Sequence, residues 1–203
     1  AVLDEAREWL ADKKVTQLDN ILSVWHLGVP EERIIDQPIA KEKIIVFNHR
    51  AAAYKGYPQF IELMKEYRKQ RKDFTVWVPQ LDGTPEYSWI DNTKVPKHEY
   101  YTRLQRCVAG VQMRQTNFGW SVAATDCMMN GTPMIFQDQA CYREIDPDGI
   151  FFKYKKDFFG TLDRLLDDVI FQQEEGARAI ARVKQLYHHE QTMFGELHQR
   201  LGK

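Results

Sequence analysis

Short, almost continuous apolar runs alternate with segments of helical spacing from residue 43 onward. A run of four to six apolar residues is typical of a strand buried on both faces. Such runs stand at residues 43–48, 74–78, 109–113, 132–136 and 150–153. The segments between them place apolar residues at helical intervals, as at Phe60, Leu63, Met64 and Tyr67. The pattern therefore predicts strands and helices in alternation.

This alternation is typical of the α/β class and predicts a Rossmann-like, doubly wound parallel sheet with right-handed crossovers. The predicted sheet core consists of Ile44, Val46, Val76, Val78, Val111, Met134 and Phe136. Residues 121–130 predict a helix that is closed by Gly131. Apolar residues spaced from Ile180 to Leu201 predict a long C-terminal helix.

The chain divides into three predicted parts. Residues 1–37 are expected to form a helical lead-in and an interdomain linker, residues 38–170 the Rossmann-like domain, and residues 171–203 the C-terminal helix. A length of 203 residues with 43% hydrophobic residues suits one large domain with appendages.

Composition excludes several classes of protein. The net charge of −1 gives no overall basic field for nucleic acid. The three cysteines form no CxxC pair, so we expect buried thiols rather than a metal site or disulfide framework. Neither a membrane-spanning stretch nor a signal peptide is present in the sequence, which leads us to expect a cytoplasmic protein.

The first predicted strand is followed by a loop with two cations. Arg50 and Lys55 stand just beyond residue 48, and ligands of doubly wound sheets bind at the carboxyl ends of the strands. Such a pair can neutralise a diphosphate, although two exposed cations on a solvated loop are the alternative. His49 is a candidate proton donor, with a structural role as the alternative.

A second loop precedes the helix predicted at residue 121. Gly119 allows close backbone approach, and a helix N-terminus near Ser121 is a natural phosphate site. Asp126 stands inside this otherwise apolar helix, where a carboxylate needs a partner. Ribose hydroxyls are one candidate partner, and an arginine from a neighbouring element is the other.

Taken in order, these segments resemble the C-terminal half of retaining GT-B glycosyltransferases of the large GT4-like group. Residues 28–34 (GVPEERI) resemble the segment that leads into the family's interdomain linker. Arg50 with Lys55-Gly56 resembles the pair that holds the donor diphosphate. Residues 119–135 resemble "EGFG…EAMACGTPVI", and residues 143–151 resemble the following "EIV.DG..F" stretch.

The resemblance implies a nucleotide-sugar donor domain, UDP- or GDP-linked, that works without a metal or other cofactor. It implies that Arg50 and Lys55 offset charge on the leaving diphosphate. It assigns donor contacts to four residues before and at the start of the helix, and ribose contacts to Asp126. Those four are Gly119, Trp120, Ser121 and Val122. It also implies that the C-terminal helix packs back toward an N-terminal acceptor-binding domain, in cis or in trans.

The sequence departs from the family in three places. Phe118 stands where the family has the first of two glutamates, so sugar recognition is expected to differ. Asn48-His49 replaces the usual small residues before the arginine. Only residues 1–27 precede the GVPEERI segment, so we expect a fragment or one half of a split enzyme.

Two other functions stay open on the sequence alone. A sugar-nucleotide epimerase with a GT-B fold shares the donor domain but needs no acceptor. A non-catalytic nucleotide-binding or scaffold module is favoured by the missing glutamate and disfavoured by Arg50, Lys55 and Asp126. A nucleic-acid acceptor also stays open.

Overall fold

The computed structural model describes Ile34, residues 39–115 and residues 121–201, apart from the side chains of His198, Arg200 and Leu201. The predicted lead-in and linker at residues 1–37, including nearly all of the GVPEERI segment, therefore lie outside the described residues. The elements are β1 (Glu42–Val46), α1 (Tyr57–Gln70), β2 (Thr75–Trp77), β3 (Ile90–Asp91), α2 (Lys97–Arg106), β4 (Cys107–Gln112), α3 (Val122–Met129), β5 (Met134–Gln137), α4 (Ala140–Ile145), β6 (Ile150–Phe152), α5 (Lys155–Asp167) and α6 (Val169–Leu201).

The six strands form one sheet in the order β3-β2-β1-β4-β5-β6, and every neighbouring pair is parallel. From β1 the chain adds β2 and β3 on one side, and it then crosses back to add β4, β5 and β6 on the other side of β1. This confirms the predicted Rossmann-like, doubly wound α/β fold. The point where the strand order reverses lies between β1 and β4, and such switch points are where ligands bind.

Helices cover both faces of the sheet because successive strand residues point to opposite sides. Ile45 packs in the cluster with Phe60 of α1 and Leu162 of α5. Its neighbour Val46 packs in the other cluster, with Leu104 of α2 and Met128 of α3. Six of the seven predicted core residues are buried, whereas Ile44 is only half-buried near the start of β1.

The sequence pattern missed two elements. The edge strand β3 has only two residues, which is too short to show a period. Helix α4 has six residues and follows β5 after a gap of two. Gly131 has the left-handed φ of 65° that was expected of the residue closing α3.

Helix α6 runs without interruption over 33 residues and begins at Val169, two residues before the predicted boundary of the C-terminal part. Its packing against α3 and the turn that follows includes a close backbone approach at Gly176. A Cβ atom added there would lie 2.6 Å from the carbonyl oxygen of Gly131. The domain boundaries drawn from the sequence stay predictions.

Candidate functional site

The loops after β1 and β4 meet at the carboxyl edge of the sheet. Gly56, with a φ of 78°, closes the β1 loop and begins the turn into α1. A Cβ atom at Gly56 would lie 2.4 Å from Cβ of Met113, directly after β4. A side chain at residue 56 would therefore force apart the two loops that flank the switch point.

Lys55 joins these two loops. Its ammonium group donates a hydrogen bond of 2.7 Å to Oε1 of Gln115, which is buried after β4. The amide oxygen is uncharged, and within the described part of the chain Lys55 forms no ion pair. The positive charge of Lys55 is therefore available to an anion at the switch point.

Arg50 lies on the other side of the same loop. It is exposed and lines a cleft of about 530 Å³ with Ala51, Ala52, Pro79, Gln80, Asp82 and Lys94. Asp82 pairs with Lys94 at 2.7 Å, and none of the ion pairs among residues 39–115 and 121–201 includes Arg50. Arg50 therefore faces the cleft beside the end of β2, whereas Lys55 contacts the segment after β4.

Ser121 is the N-cap residue of α3, but its side chain forms no hydrogen bond with the backbone of the helix. Its hydroxyl instead lies 3.3 Å from Nδ1 of His49. Val122, the first helical residue, keeps an exposed side chain. Gly119 and Trp120, also expected at this site, lie outside the described residues.

His49 is buried, with 3% of its surface exposed. Burial, together with the smaller effect of the positive charge of Lys55, lowers the pKa of His49 to about 4. The imidazole is therefore neutral near pH 7. A buried, neutral ring packed edge-on against Phe47 favours the structural alternative over the proton donor suggested by the sequence.

Asn48 is a residue that the sequence analysis named only as a departure from the family pattern, without a role. It is fully buried, and its side-chain nitrogen donates to the hydroxyl of Tyr100 at 2.9 Å and to the carbonyl of Ala123 at 2.7 Å. The backbone carbonyl oxygen of Asn48 accepts a hydrogen bond from the side-chain nitrogen of Gln80 at 3.0 Å. Asn48 thereby ties the end of β1 to α2 and α3. A polar residue ending an apolar run was the only available signal.

Asp126 is half-buried on the side of α3 that meets α2. Its Oδ2 lies 3.4 Å from the hydroxyl of Tyr100. Burial raises the pKa of Asp126 to about 6, against the opposing effects of the Tyr100 hydrogen bond and the Lys97 charge. No arginine pairs with Asp126 in the described part of the chain, so the structure gives no support to the ion-pair alternative.

Glutamines fix the ends of β4 and β5. Gln112 donates to the Tyr142 hydroxyl at 2.9 Å, and that hydroxyl donates to the carbonyl of Met113 at 3.0 Å. The amide of Arg114 donates to Oε1 of Gln137 at 2.9 Å. These contacts place the segment after β4 rigidly against its neighbour strand. No sequence motif distinguishes these glutamines.

Among the described residues, no three His, Cys, Asp or Glu side chains converge in a way that would hold a metal ion. The three cysteines are buried and free. No described helix combines the length and hydropathy needed to cross a bilayer.

Comparison with solved structures finds related folds at low sequence identity. A trehalose-6-phosphate synthase, studied for glycosyl transfer with retention, matches 87% of this chain with a TM-score of 0.65 and 11% identity. An E. coli structure described as trehalose-6-phosphate bound with UDP-2-fluoro glucose also matches 87%, with a TM-score of 0.66 and 11% identity. TarM matches 86% with a TM-score of 0.64 and 13% identity.

The chain has the fold of a GT-B glycosyltransferase domain. Its match covers 52% of each of the first two chains and 37% of TarM, so this chain spans about half of the length of these structures or less. No protein-family profile matches the sequence. No curated protein matches it either.

Proposed function

We propose that this chain is the donor-binding domain of a retaining glycosyltransferase, which binds a UDP- or GDP-linked sugar for transfer to an acceptor hydroxyl. The observation that carries the proposal is the pair Arg50 and Lys55. Neither cation has an acidic partner among the described residues, and both belong to the loop after β1, with Lys55 against the segment after β4 and Arg50 toward the end of β2. A diphosphate needs this kind of charge at this place in the fold.

Each proposed contact has a separate chemical role. Arg50 offers a planar fork for two phosphate oxygens, and Lys55 offers a point charge beside Gln115. The uncapped start of α3 offers backbone N–H groups, because the Ser121 hydroxyl lies against His49. Gly119 and Trp120 are proposed to contact the donor together with Ser121 and Val122. Asp126 is proposed to accept from the ribose hydroxyls.

Catalysis would then be electrostatic. Negative charge grows on the leaving diphosphate as the glycosidic bond breaks, and fixed positive charge stabilises that transition state more than the ground state. In this proposal Arg50 and Lys55 supply the charge that a metal ion supplies elsewhere. The reacting atoms of donor and acceptor must also be held together, and we propose that a second, acceptor-binding domain in cis or in trans does this.

A titration of the chain with UDP, GDP and inorganic pyrophosphate tests the proposal. Arg50→Ala should weaken UDP or GDP binding roughly tenfold or more, since a charge-assisted contact to phosphate contributes about 1.5–3 kcal/mol. Arg106→Ala is the matched control, because it removes the same charge from the amino edge of the sheet, where Arg106 pairs with Glu42. Equal loss in the two variants would mean that only net charge matters, and would contradict a site at Arg50.

A further inference from the structure

Tyr100 connects the end of β1 to α3 through two hydrogen bonds. The side-chain nitrogen of Asn48 lies 2.9 Å from the Tyr100 hydroxyl, and that hydroxyl lies 3.4 Å from Oδ2 of Asp126. Tyr100 belongs to α2, so three separate elements meet at this one phenol. None of the motifs in the sequence includes Tyr100.

The backbone carbonyl of Ala123 determines which groups donate and which accept in these two hydrogen bonds. The carbonyl of Ala123 can only accept, so the Asn48 atom facing it at 2.7 Å must be the amide nitrogen. The same nitrogen carries the second hydrogen, which Tyr100 oxygen must accept. The Tyr100 proton is then left for Asp126. Because Asn48 is fully buried, it has no water toward which to turn.

We propose that Tyr100 is a positioning residue for the nucleotide, which orients the Asp126 carboxylate for the two ribose hydroxyls by donating to its Oδ2. The proposal rests on the proposed function, since it takes Asp126 as the ribose contact. A carboxylate that is already held in one orientation binds a ligand without a further loss of rotamer freedom.

The electrostatic surroundings give this role a pH signature. Burial raises the pKa of Asp126 to about 6, and the hydrogen bond from Tyr100 is the first of two effects that lower it, the second being the charge of Lys97. Loss of the Tyr100 hydroxyl should therefore raise the pKa of Asp126 further. A protonated carboxyl cannot accept from both ribose hydroxyls, so binding weakens as the pH falls through that pKa.

Apart from the positively charged Lys97, the titratable groups around Asp126 stay neutral over the same range. Burial raises the pKa of Tyr100 and that of Cys127, so the phenol and the thiol keep their protons. The loop after β1 presents Asn48, which does not titrate. Helix α6 packs on α3 and buries Gly176, Ala179 and Val183, none of which titrates.

Titration of Tyr100→Phe with UDP across roughly pH 6 to 8.5 tests the role of the hydroxyl. The variant should bind UDP at least about fivefold more weakly than the wild type near pH 6, and the ratio should fall to a smaller value that stays above one near pH 8.5, where only the orientation of Asp126 is lost. Protonation of UDP itself affects both proteins equally and cancels in the ratio. Binding of pyrophosphate, which has no ribose, should be the same in both proteins at every pH.

Two controls separate positioning from general damage. Tyr67→Phe removes another hydroxyl that donates to a carboxylate, Asp163 at 2.5 Å, away from the switch point, and should leave UDP binding unchanged. In an Asp126→Asn background, Tyr100→Phe should have no further effect on UDP binding. An equal effect in that background, or a ratio that does not change with pH, would overturn the role of Tyr100 while leaving the donor site standing. Failure of the wild type to bind UDP would instead overturn the proposed function together with this inference.

Discussion

Lys55 donates to Oε1 of Gln115 across 2.7 Å, so a charged side chain after β1 is held by a neutral one after β4. The contact spans the switch point of the sheet and fixes the ammonium group without neutralising it. In the proposed site, an entering phosphate would meet a cation whose position is already set. Preorganisation of this kind strengthens an electrostatic contact because little reorientation is needed on binding.

Lys55→Ala should weaken binding of UDP and of pyrophosphate by similar factors, since both ligands carry the diphosphate. About tenfold is expected for one charge-assisted contact. Calorimetry on both ligands gives the two ratios. Lys72→Ala, which removes an exposed lysine at the opposite end of α1, is the control and should bind both ligands as the wild type does. A loss confined to UDP would contradict a phosphate role for Lys55.

Asp126→Asn should weaken UDP binding while leaving pyrophosphate binding unchanged. The substitution should not destabilise the fold at pH 7. Burial raises the folded-state pKa of Asp126 to about 6, above its unfolded value, so ionised Asp126 opposes folding at neutral pH. The wild type should therefore gain stability relative to the variant as the pH falls from about 7 to about 5. Melting curves at the two pH values, beside the two titrations, measure both effects. A large drop in melting temperature with unchanged relative affinities would show that Asp126 is structural.

Arg178→Ala should be strongly destabilising. Asp146 has 1% of its side chain exposed and accepts from Nη1 of Arg178 at 2.7 Å, so the variant leaves a buried carboxylate without its charge partner. Loss of about 3 kcal/mol or more is expected when one member of a buried pair is removed. Arg164→Ala breaks the exposed pair with Asp168, at 3.8 Å, and should cost less than ~1 kcal/mol. Denaturant unfolding of both variants measures the contrast, and similar losses would contradict the importance of burial.

Gly176→Ala and Gly160→Ala should change stability in opposite directions. Both glycines lie inside helices, where alanine is favoured by up to ~1 kcal/mol. Gly160 has no atom within 4 Å of the added Cβ, so alanine should stabilise α5. At Gly176 the added Cβ would lie 2.6 Å from the backbone oxygen of Gly131, which cannot rotate aside. Thermal melts of the two variants give the signs, and a stabilising Gly176→Ala would mean that α6 shifts freely on α3.

The sequence by itself determined the parallel sheet and the edge at which the loops of the candidate site meet. Run length and period are local properties, so apolar runs such as residues 74–78 mark buried strands without knowledge of their neighbours. The crossover rules then fix the edge at which the following loops meet, which is why Arg50 and Lys55 could be assigned to the switch point. A strand of two residues such as β3 carries no period, and its pairing with β2 depends on the sheet that is already formed.

Only the tertiary structure decided how the polar side chains of the site are joined. Asn48, Tyr100 and Asp126 belong to three elements, and nothing in their local patterns relates one to another. The same holds for His49, whose pKa is set by burial and by the charge of Lys55. Hydrogen bonds and desolvation depend on which groups packing brings within about 3 Å and on how much water it removes, and both are settled only when the helices dock on the sheet.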